Sequence, residues 1–298
     1  MKFIGRNSKY IAVALVTLLV GIAAANMLGQ ETKFKDKFDK LDSKNRGFCN
    51  NNNWSSDDHV TATQLREMTV AAGGTLTVDG RQNGGVSVLG ENRSDILVRA
   101  CVQAWGKSDE DAKARGEKIT INTSGTIKAE GPEENGWSVS FQILAPRNTS
   151  VDLTAHNGGI SIQGIDGSAK FETMNGGVFL SDDAGNFSGK TQNGGVFVRL
   201  NGSSWKGGGL DVTTTNGGVN IEMPENYAAH VETSTVNGGF SSDIAALQPL
   251  REDRDRDDNG WGYRSRKTKI NTDLNGGGPP VRVVTTNGGV RISTPGTR

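Results

Sequence analysis

The sequence predicts an all-β protein: a single-stranded parallel β-solenoid of about 18–23 residues per coil, with one short helix in its N-terminal part. Three features carry that expectation. Asn-Gly-Gly followed by an apolar residue recurs at 83–86, 157–160, 175–178, 193–196, 216–219, 237–240 and 287–290, with spacings from Asn157 of 18, 18, 23 and 21 residues. A period near 20 marks a stacked array. Apolar or small residues alternate with others on both sides of each turn, the period-two pattern of strands. Glycine numbers 41 of 298 residues, about double ordinary usage, yet Pro numbers only seven and no triplet period runs through the chain, which excludes collagen.

From the N-terminus, residues 1–30 have the parts of an export signal. Lys2, Arg6 and Lys9 precede the apolar run Tyr10–Ala25, and Ala23, Ala24 and Ala25 offer a cleavage site. The run is shorter than the roughly 20 residues that span a bilayer. A signal peptide is therefore expected over a signal anchor, and a membrane association only if the segment stays uncleaved. Residues 31–58 form a polar linker and an Asn-rich loop. Only Cys49 and Cys101 occur, and an even pair in an exported chain predicts a disulfide. Closing that loop is worth roughly 4 kcal/mol on the chain-entropy account.

Residues 59–150 are expected to form an N-terminal β part. Thr75–Val78, Val86–Val88, Ile96–Val102, Ile119–Ala129 and Ser138–Leu144 carry strand patterns, and Ser108–Lys118 predicts a short exposed helix. Residues 151–298 carry the array itself. Its turns are Asn157-Gly158-Gly159, Asn175-Gly176-Gly177, Asn193-Gly194-Gly195, Asn216-Gly217-Gly218, Asn237-Gly238-Gly239 and Asn287-Gly288-Gly289. Glycine accepts positive φ without a Cβ clash and Asn tolerates it, so these positions are expected to turn through the left-handed region. Stacked Asn side chains are expected to hydrogen-bond along a ladder. An antiparallel β-meander is the alternative, with Asn-Gly closing hairpins and second turns at 164–167, 182–186 and 201–202. A charged insert at 249–269 interrupts the array.

The export signal, the strand–helix–strand element 96–129 and the tandem Asn-Gly-Gly-apolar coils from Val151 onward resemble one family. It is the bacterial exported β-strand-repeat putative adhesin family, a domain of unknown function. The resemblance covers roughly residues 60–292 and implies a β-helix at the periplasm, cell envelope or cell surface. It supplies no catalytic residues.

The chemistry readable in the chain is sparse. The 33 basic and 33 acidic side chains balance, which removes the electrostatic case for nucleic acid. Residues 184–191 match a relaxed phosphate-loop pattern, but Thr191 runs straight into the next turn and no helix can follow, so no nucleotide is expected. His59, His156 and His230 are isolated in sequence, and no catalytic residue, metal ligand or cofactor is predicted. Asp182 and Asp183 fall at a corner, where Asp is favoured for backbone reasons. Aromatic rings outside the coil positions can anchor a partner. Trp137 and Trp261, with Arg254, Arg256, Arg264 and Arg266, are the candidate contacts for envelope or surface glycans or another protein. The function expected is a non-enzymatic exported module with a structural or adhesive role. A carbohydrate-active β-helix enzyme, a polysaccharide lyase or glycoside hydrolase with paired carboxylates, is the alternative.

Overall fold

The computed structural model describes residues 48–49, 59–133, 136–249 and 268–296. The export segment 1–30, most of the 31–58 linker and most of the 249–269 insert lie outside the described residues. Among the described residues twenty strands fall into two sheets of ten. The N-terminal strands are β1 (Val60–Ala71), β2 (Thr75–Asp79), β3 (Val86–Glu91), β4 (Asp95–Gly106), β5 (Thr120–Asn122), β6 (Ile127–Glu130) and β7 (Trp137–Pro146). The repeats give β8 (Ser150–Ala155), β9 (Ile160–Gln163), β10 (Ala169–Thr173), β11 (Val178–Ser181), β12 (Asn186–Thr191) and β13 (Val196–Arg199). They continue with β14 (Gly209–Asn216), β15 (Val219–Glu222), β16 (Ala229–Thr235) and β17 (Phe240–Ser242). The last three are β18 (Thr268–Leu274), β19 (Pro280–Asn287) and β20 (Val290–Ser293).

The first sheet runs β1-β4-β7-β3-β9-β11-β13-β15-β20-β17, and the second runs β18-β16-β19-β14-β12-β10-β8-β2-β6-β5. This corrects the single-stranded parallel β-solenoid. Both sheets are open, and each mixes parallel with antiparallel pairs. The long alternating strands β1, β4 and β7 pair antiparallel, as do β5 with β6 and β16 with β18. The meander is corrected too. Each Asn-Gly-Gly turn carries the chain from the second sheet to the first, and like strands then pair in parallel, as Val178 does with Val196 and Val219 with Val290.

Spatial order also departs from chain order. β19 lies between β14 and β16, and β20 lies between β15 and β17, so the last repeat is inserted between two earlier ones. The physical reason lies at the chain's 229–247 stretch. After β17, Ile244, which precedes a 3₁₀ turn (Ala245–Leu247), and Leu247 within it are buried in the core, so this repeat brings its own end cover. A repeat that carries the cover belongs at the end of the stack.

The core lies between the inner faces. Leu153, Phe171, Val212 and Val283 descend one sheet and Ile162, Leu180, Val198, Ile221 and Ile292 the other, all essentially buried. Gly189 occupies the row of Phe171 because a Cβ there would overlap that ring. The helix α1 (Asp109–Glu117) is capped by Ser108, whose Oγ accepts from the Asp111 N–H at 3.2 Å, with three acids in its first turn and Arg115 in its last. It buries only Ala112 and packs against β4 and β1. The stretch expected as one strand over Ile119–Ala129 is split into β5 and β6 by a turn at Gly125, whose φ is +75°. Cys49 and Cys101 are disulfide-bonded, as expected.

Candidate functional site at the stacked turns

The Asn-Gly-Gly turns stack along one edge of the protein, and their side chains form a continuous ladder. Each Asn Nδ2 donates to the Oδ1 of the next: Asn237 to Asn287 (2.7 Å), Asn287 to Asn216 (2.8 Å), Asn216 to Asn193 (2.7 Å) and Asn193 to Asn175 (2.7 Å). Asn175 donates to Asn157 at 2.8 Å, and Asn157 to Asn83 at 3.0 Å. Seven asparagines from separate parts of the chain thus present one exposed row of carboxamides with a direction.

A second set of bonds holds the row from beneath. The residue two before the Asn is a buried Thr in five turns, and its Oγ1 donates to the first-Gly carbonyl of the neighbouring turn. The pairs are Thr173 to Gly158, Thr191 to Gly176, Thr214 to Gly194 and Thr235 to Gly288 at 2.7 Å, and Thr285 to Gly217 at 2.8 Å. The recurring Thr was visible in the sequence as a small residue at an inward position. Its hydrogen-bonding role was not, because the acceptor belongs to another repeat.

The glycines are needed for a different reason from the one expected. None of the array's turn glycines has a left-handed φ. A Cβ on Gly158, Gly176, Gly194, Gly217, Gly238 or Gly288 would instead overlap the carbonyl of the adjacent turn. Close stacking excludes a side chain at the first glycine. The second is looser: Gly218 and Gly289 have nothing nearer than 3.5 and 3.4 Å, and Gly239 nothing within 4 Å. The left-handed conformation appears at Asn275-Gly276-Gly277, where no apolar residue follows and φ is 51°, 92° and 80°.

The ladder ends beside a cleft of about 180 Å³ lined by the turn at 80–83 and by residues 131–133 and 137–139. Trp137 lines it, together with Arg81, Gln82, Asn83, Glu133 and Ser138. The Trp137 indole N–H donates to the Pro132 carbonyl at 2.9 Å. Arg81 sits at φ 53°, its N–H held by the Asp79 carboxylate at 2.7 Å and its guanidinium on the Ala129 carbonyl at 3.3 Å. The other candidate contacts, Trp261, Arg254, Arg256, Arg264 and Arg266, lie outside the described residues. Trp205 is core: its N–H donates to Gly185 at 2.9 Å and its ring meets Phe187 edge-on at 5.5 Å.

The remaining candidates are committed to structure. Asp183 is buried, its two carboxylate oxygens accepting from the Ile165 N–H (2.9 Å) and the Ser181 N–H (3.0 Å). Burial pushes this carboxyl well above the usual range, and the two backbone bonds oppose the rise. Asp182 is left-handed at φ 55° and lies 3.6 Å from Arg147, which is bidentate to Asp166. The phosphate-loop look-alike lies in β12, with Lys190 paired to Glu172 at 3.1 Å. His230 is not isolated: Asp273, opposite it in the β16–β18 register, accepts at 2.8 Å. Sequence reasoning missed that pair because an antiparallel edge strand brings it together across 43 residues. Among the described residues no group of three metal-ligating side chains occurs, and no helix is long and apolar enough to cross a membrane.

No family model and no curated protein matches the chain, and the β-strand-repeat family expected from the sequence is not confirmed. Solved structures similar to the chain include the following three. A putative cell adhesion protein from Clostridium sporogenes ATCC 15579 shares 10% identity at a TM-score of 0.36, over 78% of this chain and 100% of that one. A putative adhesin from Bacteroides fragilis NCTC 9343 shares 10% at 0.34, over 78% and 97%. A putative adhesin from Parabacteroides distasonis ATCC 8503 shares 8% at 0.25, over 77% and 97%.

Proposed function

We propose that this protein is an exported, non-enzymatic adhesive module of the cell envelope or surface, and that glycans are what its ladder edge contacts. The observation that carries the reading is the continuous row of seven carboxamides. Each spends one N–H or one lone pair on each ladder neighbour and keeps further donor and acceptor capacity facing outward. A hydroxyl is both donor and acceptor, so a polysaccharide chain suits such a row. The disulfide supports export, since disulfides persist in oxidising compartments. The resemblance to the β-strand-repeat family supports the same placement, with residues 1–30 as the signal.

The experiment is an array of glycans and cell-wall polymers probed with the full chain, with product analysis of every hit. Retention without cleavage is expected, and Asn175→Ala, which removes two ladder bonds, is expected to weaken it. Cleaved product would overturn the non-enzymatic reading. Retention unchanged in the ladder variant, with its thermal midpoint measured alongside, would remove the ladder from it.

A further inference from the structure

The ladder stops at Asn83 although the sheets do not. Asn83 accepts from Asn157, yet its own Nδ2 donates to nothing among the described residues. The next strand beyond β3 is β7, paired in parallel with Val86 opposite Phe141. Carried back three residues, that register sets Ser138 opposite Asn83. The main chain passes close by there, since a Cβ on Gly84 would overlap the Val139 carbonyl. Serine has no carboxamide, so no carboxamide among the described residues fills the seat of an eighth rung, and the cleft of about 180 Å³ lies there.

The seat is polar on one side and aromatic on the other. Asn83 supplies an unspent N–H where every other ladder Nδ2 meets a carboxamide oxygen. Trp137 is half-buried, with its N–H already satisfied, so what it adds to the cleft is ring surface. Arg81, Gln82 and Glu133 supply donors and acceptors at the rim. A ligand that fits offers a carboxamide oxygen attached to a ring with an apolar face and several hydroxyls.

We propose that this cleft binds the acetamido group of an N-acetylated amino sugar, whose carbonyl takes the place of the missing rung and accepts from Asn83 Nδ2 while its pyranose packs against Trp137. The proposal rests on the glycan reading above and names the sugar chemistry that reading leaves open.

Titration calorimetry of the full chain with a tetramer of N-acetylglucosamine, its fully deacetylated counterpart and a glucose tetramer tests it. The acetylated oligomer is expected to bind about tenfold more tightly than either, because only the acetamido carbonyl extends far enough from the ring to take the place of the missing rung, while a 2-amino or 2-hydroxyl group leaves the exposed Asn83 donor to water. Asn83→Asp keeps an acceptor for Asn157 and removes the donor. It is expected to lose tenfold or more in affinity for the acetylated oligomer with its thermal midpoint preserved. Ser138→Asn supplies the missing carboxamide from the chain itself and is expected to block binding. Equal affinity for acetylated and deacetylated oligomers, no binding of the acetylated one, or an Asn83→Asp protein that binds as the parent does would each overturn the proposal. If other glycans are still retained on the array in any of those cases, the adhesive reading survives and this site alone is wrong.

Discussion

Adjacent glycines in one turn should respond oppositely to the same methyl group. Take Gly217 and Gly218 in the middle of the stack. A Cβ on Gly217 overlaps the carbonyl and carbonyl carbon of Gly194, which are backbone atoms that cannot rotate away. The two turns must separate. Overpacking of this kind costs about 1–3 kcal/mol. Separation also strains two bonds that cross the same gap, Asn216 to Asn193 and Thr214 to Gly194, at about 1 kcal/mol each. Gly217→Ala should therefore cost about 3–5 kcal/mol. A Cβ on Gly218 meets only the Gly289 carbonyl at 3.5 Å, and its φ lies outside the left-handed region. Gly218→Ala should be neutral or stabilise by about 0.4–1 kcal/mol, through the entropy the unfolded chain loses. Urea denaturation with a common m-value measures both. A difference below about 1 kcal/mol between the two variants, or Gly218→Ala as the worse one, would refute the claim that stacking rather than φ dictates glycine here.

Other consequences follow from single contacts. Asp183 holds its proton more tightly in the fold than an exposed Asp. Between the ordinary value and the raised one the folded state binds more protons, so stability falls as pH rises through the folded pKa. The unfolding free energy of the parent, minus that of Asp183→Asn, should decline over that rise; a difference that is flat or grows with pH would contradict the assignment. Asn175→Ala deletes two ladder bonds and Asn83→Ala one, so by chemical denaturation the first should cost about twice the second, at roughly 0.5–1.5 kcal/mol per bond. Gly189→Val drives a side chain into the Phe171 ring and should destabilise by about 1–3 kcal/mol, visible as a lowered thermal midpoint; a neutral result would mean the ring has room to move.

Local features were legible in the sequence because they depend on neighbours in the chain. Ser108 with three acids behind it marks a helix start wherever it lies, and period-two alternation around each turn marks strands whatever they pair with. The ladder was legible because identical residues at identical positions stack like on like. What failed to show was everything set by which copy lies next to which. Asn216 accepts a bond from Asn287 and not from Asn237, yet both candidates sit in a turn preceded by Thr and followed by two glycines. The sequence of the turn cannot choose between them. The choice is made by Ile244 and Leu247, which cover the core at one end, and by β18, which lies antiparallel on the far side of β16. The role of the first glycine was hidden for the same reason, since the atom that excludes a side chain belongs to a different repeat.

The same stacking explains why an exposed row of asparagines can act as a binding edge. A surface side chain that must be ordered on binding costs about 0.5–1.5 kcal/mol of lost rotamer freedom. In this protein the interior carboxamides are held on both sides before any ligand arrives, and Asn83 is held on one side by Asn157. The threonines beneath fix the turn backbones from which those side chains project. Binding along the row therefore begins from an ordered surface. Asn83, the ladder carboxamide whose donor has no partner among the described residues, also lines the cleft, at the point where the strand register continues but the row of asparagines does not. The geometry that joins seven carboxamides into a ladder is the geometry that leaves the last of them prepared for a ligand.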